Sequence, residues 1–465
     1  MVDKQATTEC SIDRSAERLM PQRMVGDVFK FRWETIKRAA CPALCLTLFL
    51  AYSVLRTINL QANQEVRQFP DTPVYTGIAS RSVLDFRFWI GERPWTTPLF
   101  YKLLRNDPPS IAVFQLALST ICWGLLAICA ARAVRLSWLK PIAFGMILLF
   151  SLSAEIMMWD GVMLADSISL SLMALFIASW LWVLEDWQWF KVAAMALVAF
   201  SWAFTKDTNA WVVLVIAAIL ISGVASRRIQ GRYALLACVF AVIFAMNDVT
   251  ANRAHRWVVA FMNNVGMRIL PSPERTAYFA ELGMPVTPAL IQRREKKAWS
   301  DNWAFFKDPA LQQFRDWLSA RGKSSYIRFL LSHLAVTIQE PVRHSDELLS
   351  SELRNYAPAN FTSILNEPLA EVVYFKRWAV LWTWAAGIAV GFVFGLKLWT
   401  RNVAFLVPLA LIILVYPQEV IAWHGDPNEI GRHGLEAAVN LRLGLWLLLL
   451  FAADMMFGSI IKSRL

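Results

Sequence analysis

Apolar residues in this chain come in long unbroken runs, not in the alternation of a half-buried strand or the narrow stripe of a surface helix. The runs fall near 40–58, 111–131, 138–155, 163–184, 189–204, 209–225, 232–249, 377–397, 402–418 and 437–457. A helix that is apolar all round belongs in a bilayer, and about 20 such residues cross one. The pattern predicts an all-α polytopic membrane protein with about ten transmembrane helices. The fifth and sixth runs are short and are parted only by "TKDTN".

Two polar stretches interrupt the runs and divide the chain. A tail covers 1–39, and helices one to seven lie within 40–249, with a first loop at 59–110. A long segment covers 250–376, and helices eight to ten lie within 377–465. The long segment reads as helical. In "DPALQQFRDWLSARGK" Leu311, Phe314, Trp317 and Leu318 share one face with charges opposite. "SSYIRFLLSHLAVTIQEP" continues in that style, so these helices are expected on the outer membrane surface or over a cavity.

Composition agrees with the pattern. Of 465 residues 57% are hydrophobic and 17% charged, against roughly a quarter charged in a soluble domain. The net charge of +11 is not read as a nucleic-acid footprint, because many bases sit in tails and short loops. Arg14, Arg18, Arg23, Lys37 and Arg38 precede helix one, and Arg132 and Arg135 follow helix two. Arg227, Arg228 and Arg232 follow helix six, Lys397 and Arg401 follow helix eight, and Lys462 and Arg464 end the chain. Cytoplasmic N- and C-termini put every cluster inside and both long loops outside. The polar N-terminus is far longer than a signal-peptide n-region. Cys10, Cys41, Cys45, Cys122, Cys129 and Cys238 form no CxxC pair, so packing is their expected role. The sequon at Asn360 is a chance-level match, and the brevity of the loops points to the inner membrane of a bacterium.

With this topology, ionisable groups gather on the external side: Asp71, Glu92, Glu155, Asp160, Asp166, Asp207, Asp426 and Glu429 with Arg81, Arg93, Lys102, Lys206, Arg253, Arg256, Arg432 and His433. Charged groups at helix ends facing one side of a membrane usually face a polar cavity. In "QFPDTPVYTGIASRS" Pro70 and Pro73 restrict the backbone around Asp71, and Tyr75 falls on the same helical face. Asp71 is read either as the N-cap of the helix that follows or as an active carboxylate. Asp166, inside an apolar helix, is satisfied by a neighbouring Ser or Lys or belongs to a site. Lys206 and Asp207 are a solvated turn or part of that site.

An early Asp in the first external loop, a following "Y..IA" helix and "GERPWTTPLFYKLL" resemble the GT-C glycosyltransferase superfamily. That group includes protein O-mannosyltransferases, the lipid A aminoarabinose transferase and mycobacterial lipid-linked mannosyltransferases. "WDGVMLADSISLSLMAL" is similar to their second external turn, and the large segment after helix seven fits their architecture. Where many relatives carry Asp-Glu, Asp71 is followed by Thr72, which weakens any claim of a metal held by a pair.

The resemblance implies a polyprenyl-phosphate-linked sugar donor, an acceptor on a cell-envelope glycan, lipid or protein, no cofactor and no divalent metal. The active site is then periplasmic, among membrane lipids. Asp71 is implied as general base. Arg93, Lys102, Lys206, Arg432, His433 and Arg442 are candidates for the donor phosphate, Arg442 alternatively pairing with Glu429 or Glu436. Tyr75, Glu155, Asp160, Asp166 and Glu429 are candidates for sugar or acceptor hydroxyls. Two other classes stay open: an O-antigen polymerase or ligase leaning on external arginines, and a transporter of an envelope solute.

Overall fold

The computed structural model describes residues 20–63, 65–350, 355–358 and 361–464. Cys10, Arg14, Arg18 and the sequon at Asn360 lie outside them. All the named elements are helices, and the extended pairing among the described residues is an isolated parallel bridge between Arg67 and Val162. The helices that matter below are α1 (Met20–Ala62), α2 (Thr72–Ala79), α3 (Pro108–Ala133), α4 (Leu139–Ser151), α5 (Asp166–Glu185), α6 (Trp189–Ala203), α7 (Asp207–Ala225) and α8 (Arg232–Arg253). They are followed by α9 (Lys323–Ser332), α10 (Leu334–Arg343), α11 (Ala379–Gly395), α12 (Leu406–Gly425) and α13 (Leu435–Arg464).

The protein is a multi-pass membrane protein by the length and apolarity of these helices. Seven are long and apolar enough to cross a bilayer, and an eighth is made if α4 and Ala154–Gly161, bent by 60°, form one span. The expected ten is therefore not reached on length. The shortfall is α6 and α11, which have 15 and 17 residues. Both nevertheless connect segments that neighbour opposite ends of the longer helices. Helix α6 begins beside Asp186, at the end where Arg132 pairs with Glu185 at 2.7 Å, and finishes at the opposite end, where Thr96 N–H donates to Phe204 O at 3.2 Å. Helix α11 starts just after Lys376, which pairs with Glu155 at 2.9 Å. It leads to Asn402, whose amide donates to Ala133 O at 2.9 Å.

Local signals explain where helices begin. Asp107 accepts from Ser110 N–H at 3.0 Å, and Pro108 and Pro109 occupy the first turn of α3, where an N–H would be unpartnered anyway. Helix α5 is the centre of the bundle, with 78% of its apolar window buried, whereas the α1 window is 11% buried and peripheral. Around α5 pack Trp123, Phe150, Trp159, Trp202 and Phe240, all essentially inaccessible. Lipid is as apolar as leucine, so close packing holds such a core together. Helices α1 and α3 approach closely at Gly124, where an added Cβ would come within 2.6 Å of the Phe49 ring.

A second hydrophobic core lies entirely within 257–332. Phe261, Phe279, Phe305, Phe314, Trp317 and Phe329 fill it. Leu311, Phe314, Trp317 and Leu318, the face predicted from periodicity, are all buried there.

A candidate site at one end of the bundle

The first loop is fixed against the turn before α5. Arg67 N–H donates to Gly161 O at 2.8 Å, and Met163 N–H to Arg67 O at 2.9 Å. Thr72 is fully buried. Its hydroxyl donates to Met163 O at 2.8 Å and accepts from Phe69 N–H at 2.9 Å. The residue that stands where the resemblance has a second carboxylate is thus an anchor, and it sets Asp71 at the mouth of α5.

Asp71 occupies the N-cap position of α2, but its side chain makes no capping hydrogen bond. The carboxylate turns outward instead. Oδ1 accepts from Arg93 Nη2 at 2.6 Å and Oδ2 from Arg432 Nη2 at 3.3 Å. It stays 26% exposed. Burial alone would raise its pKa, but the two guanidiniums prevail and hold it below the ordinary aspartate value. Tyr75, buried one turn on, lies under Arg93 with the guanidinium 6.0 Å from its ring centre.

The opposite wall is the 426–434 turn. Arg432 also pairs with Glu429 at 2.9 Å and sits 5.7 Å from the ring of Tyr356. Glu429 is held at φ 54°, ψ 43°, a left-handed conformation uncommon outside glycine. Gly434 lets the turn seat against the backbone, because a Cβ there would lie 2.1 Å from Leu348 O. Asn263 donates to Asp426 Oδ1 at 2.9 Å, so the second core grips the same turn.

Below lies a drier layer. Lys206 Nζ pairs with Asp166 at 2.7 Å and Glu436 at 3.2 Å. Burial would lower the lysine pKa, but the two carboxylates outweigh it and raise the value. Glu436 also accepts from Ser169 Oγ at 2.6 Å and Trp202 Nε1 at 3.2 Å. Lys206 and Asp207 are not a freely solvated turn: Lys206 is largely buried and satisfies Asp166, and Asp207, partly exposed, receives two hydrogen bonds from Arg256, at 3.0 and 2.9 Å.

The structure therefore brings together Asp71, Tyr75, Arg93, Asp166, Lys206, Glu429, Arg432 and His433. Four other candidates stand apart. Lys102 Nζ donates to Ala79 O and Arg81 O at 3.2 and 2.7 Å, capping the end of α2. Glu155 pairs with Lys376, and Asp160 pairs with Arg56. Arg442 meets neither Glu429 nor Glu436. It donates to the carbonyls of Phe375, Ala438 and Leu349 at 2.9, 3.0 and 3.1 Å, which satisfies a buried guanidinium without an anion. His433 is in place but carries no charge: burial, then Arg432 and Lys206, push its pKa down to about 3. It offers a neutral imidazole, not a cation for phosphate.

Sequence reasoning missed Glu436 and Tyr356 as parts of this cluster and Arg56 altogether. An acid at the apolar entry of α13 and an arginine inside the first apolar run were the available signals. Arg93, Lys206 and Arg432 each already face a carboxylate, so the site is charge-matched, not a cationic basin. Beside it a small crevice of about 20 Å³ lies between α7, α12 and α13, lined by Asn209, Val212, Gln418, His433 and Glu436 among others. The sequence matches no protein-family model and no curated protein.

Proposed function

We propose that this chain is an inverting, integral-membrane glycosyltransferase of the GT-C type. It moves a sugar from a polyprenyl-phosphate carrier to a hydroxyl of a cell-envelope glycan, lipid or protein. The observation that carries the reading is Asp71, a partly exposed carboxylate released from capping its helix and held between two guanidiniums at one end of a membrane bundle. In this reading α6 and α11 complete ten spans: α11, with 17 residues, meets the lower limit of about 17 for a helical crossing, and α6, with 15, falls two short of it. The termini are cytoplasmic, and the site faces the periplasm of a bacterial inner membrane.

The chemistry follows from the charge matching. A carboxylate below its ordinary pKa is always ionised but is a weak base. Arg93 and Arg432 suit a phosphate through their planar forks. As the donor phosphate draws them away, Asp71 loses the partners that depress its pKa and becomes a better base. The acceptor oxygen then bonds to the anomeric carbon, the bond from that carbon to the phosphate oxygen breaks, and Asp71 takes the hydroxyl proton. Polyprenyl phosphate leaves. One base suffices because a phosphate leaving group needs no proton, whereas a glycosidase needs two carboxylates.

The test is incubation of purified protein with several polyprenyl-phosphate sugars, following release of polyprenyl phosphate. Acceptor-dependent release with one donor class is expected. No release with any donor, together with glycan polymerisation or ligation that is sensitive to arginine variants but not to Asp71, would move the protein to the polymerase or ligase class. Uptake of labelled solute into proteoliposomes without transfer would make it a transporter.

A pH dependence follows from Asp426. Burial pushes its pKa up to about 6, with Asn428, Asn263 and the nearby arginines opposing. The folded value lies above the ordinary 3.8, so the charge is a burden on the fold at neutral pH, relieved as pH falls through about 6. Below that, the site has one negative charge fewer, while a phosphodiester donor keeps its own. The KM for donor is expected to fall between pH 7 and pH 5, and Asp426→Asn to flatten that dependence. A KM that rises with acidification would contradict it.

A further inference from the structure

Helices α9 and α10 leave an apolar stripe uncovered. Ile327, Leu331, Leu334, Ile338 and Val342 are each between 45% and 66% exposed. The four-residue step from Ile327 to Leu331 in α9, and the steps Leu334–Ile338–Val342 in α10, keep them on one side of each helix. Arg328 and Arg343 are exposed at its two ends. The polar partners of α10 lie on its other side, where Glu340 meets Arg275 and accepts from Trp423 Nε1 at 3.2 Å.

The stripe continues a face that already belongs to lipid. Ile413 and Tyr416, on the span Val403–Gly425, are exposed next to it. Tyr416 Oη donates to Ile338 O at 2.9 Å. Tyr416 lies about 13 Å of helix axis below Gly425, so a bond to its hydroxyl draws the α10 backbone below the end of the span. The break between the two helices is also prepared for little water. Phe329 O accepts from His333 N–H at 2.9 Å and from Ser332 Oγ at 3.2 Å, and Leu330 O accepts from Thr337 Oγ1 at 2.8 Å. Carbonyls freed by a helix break need such internal donors where lipid replaces water.

We infer that the α9–α10 segment is inserted among the acyl chains of the leaflet on the side of the candidate site, with Leu331, Leu334, Ile338 and Val342 in hydrocarbon. Arg328 and Arg343 reach back to the headgroups. The second core is then moored to the membrane at the point where it grips α12 and the 426–434 turn. This rests on the multi-pass character of the chain and not on the transferase reading.

The wild-type chain, reconstituted with a phosphatidylethanolamine carrying a photoactivatable diazirine on its acyl chain, tests it directly. After irradiation, lipid adducts are mapped on tryptic peptides. The peptide 329–343 is expected to carry adducts at a level comparable with span peptides, and roughly tenfold above peptide 308–315 on the polar face of the second core. Adducts in the spans with none above background in 329–343 would overturn the inference. As a second arm, Leu334→Glu with Ile338→Glu, which leaves the tryptic peptide intact, should strip adducts from 329–343 while span labelling persists. Undiminished labelling of that peptide would count against the insertion of these residues.

Discussion

Asp71→Asn is expected to lower sugar transfer by about a thousandfold, the scale on which a lost general base acts, without weakening donor binding. The side chain keeps its size but can no longer take a proton. Arg93 and Arg432, at 2.6 and 3.3 Å from the carboxylate, lose one anionic partner each, so both become more available to a phosphate. The donor KM should hold or fall while kcat collapses. That split separates a base from a mere ion-pair partner, because a structural role would disorder both guanidiniums and raise KM. Asp71→Asn with full transfer would falsify the assignment. Loss of transfer with a large rise in KM would leave Asp71 as a positioning residue and return the search for a base to Glu429, exposed on the facing wall.

The largest effect on stability is expected at Arg56. It is fully buried in α1, bonded to Asp160 at 2.5 Å and to Tyr52 Oη at 2.8 Å, and Ser151 Oγ donates to the same hydroxyl at 2.9 Å. Arg56→Met leaves the Asp160 carboxylate buried without a countercharge, which in comparable buried pairs costs about 3–5 kcal/mol. Thermal unfolding in detergent should show a clear drop. Adding Asp160→Leu should recover most of it, since an apolar pair of similar volume is often as stable as the ion pair it replaces. If the double variant melts no higher than Arg56→Met alone, the loss comes from packing around α1 and not from an orphaned charge.

The two variants also separate two kinds of buried charge. Arg56 and Asp160 join α1 to the turn before α5 and are closed to solvent, whereas Asp71 lies at the surface end of the same turn region, where a substrate has access. Asp160, read from sequence as a candidate for sugar or acceptor hydroxyls, is placed on the structural side of that division by Arg56, within two turns of the end of α1.

How much of this was legible follows from range. Apolar runs are local, so the helical class, the membrane setting and the bounds of most spans follow from the sequence alone. So does the face of Leu311, Phe314, Trp317 and Leu318, because helical periodicity needs no knowledge of the partner. The proline-flanked Asp71 and the charges near 160–166, 206 and 432 were visible for the same reason: a charge beside an apolar run stands out. Partners were not legible. Asp71 and Arg432 are far apart in sequence and meet only because the first loop is pinned to the turn before α5 and Gly434 lets the last turn close on Leu348. Whether Asp71 caps α2 or faces outward depended on two guanidiniums outbidding a backbone N–H. Whether Arg442 needed an anion depended on three carbonyls from distant segments, and whether His433 carries charge depended on burial beside Arg432 and Lys206. Local chemistry chose the candidates; only the packing of loops at one end of the bundle chose their partners, because Coulomb energy and desolvation depend on distances that the order of residues does not contain.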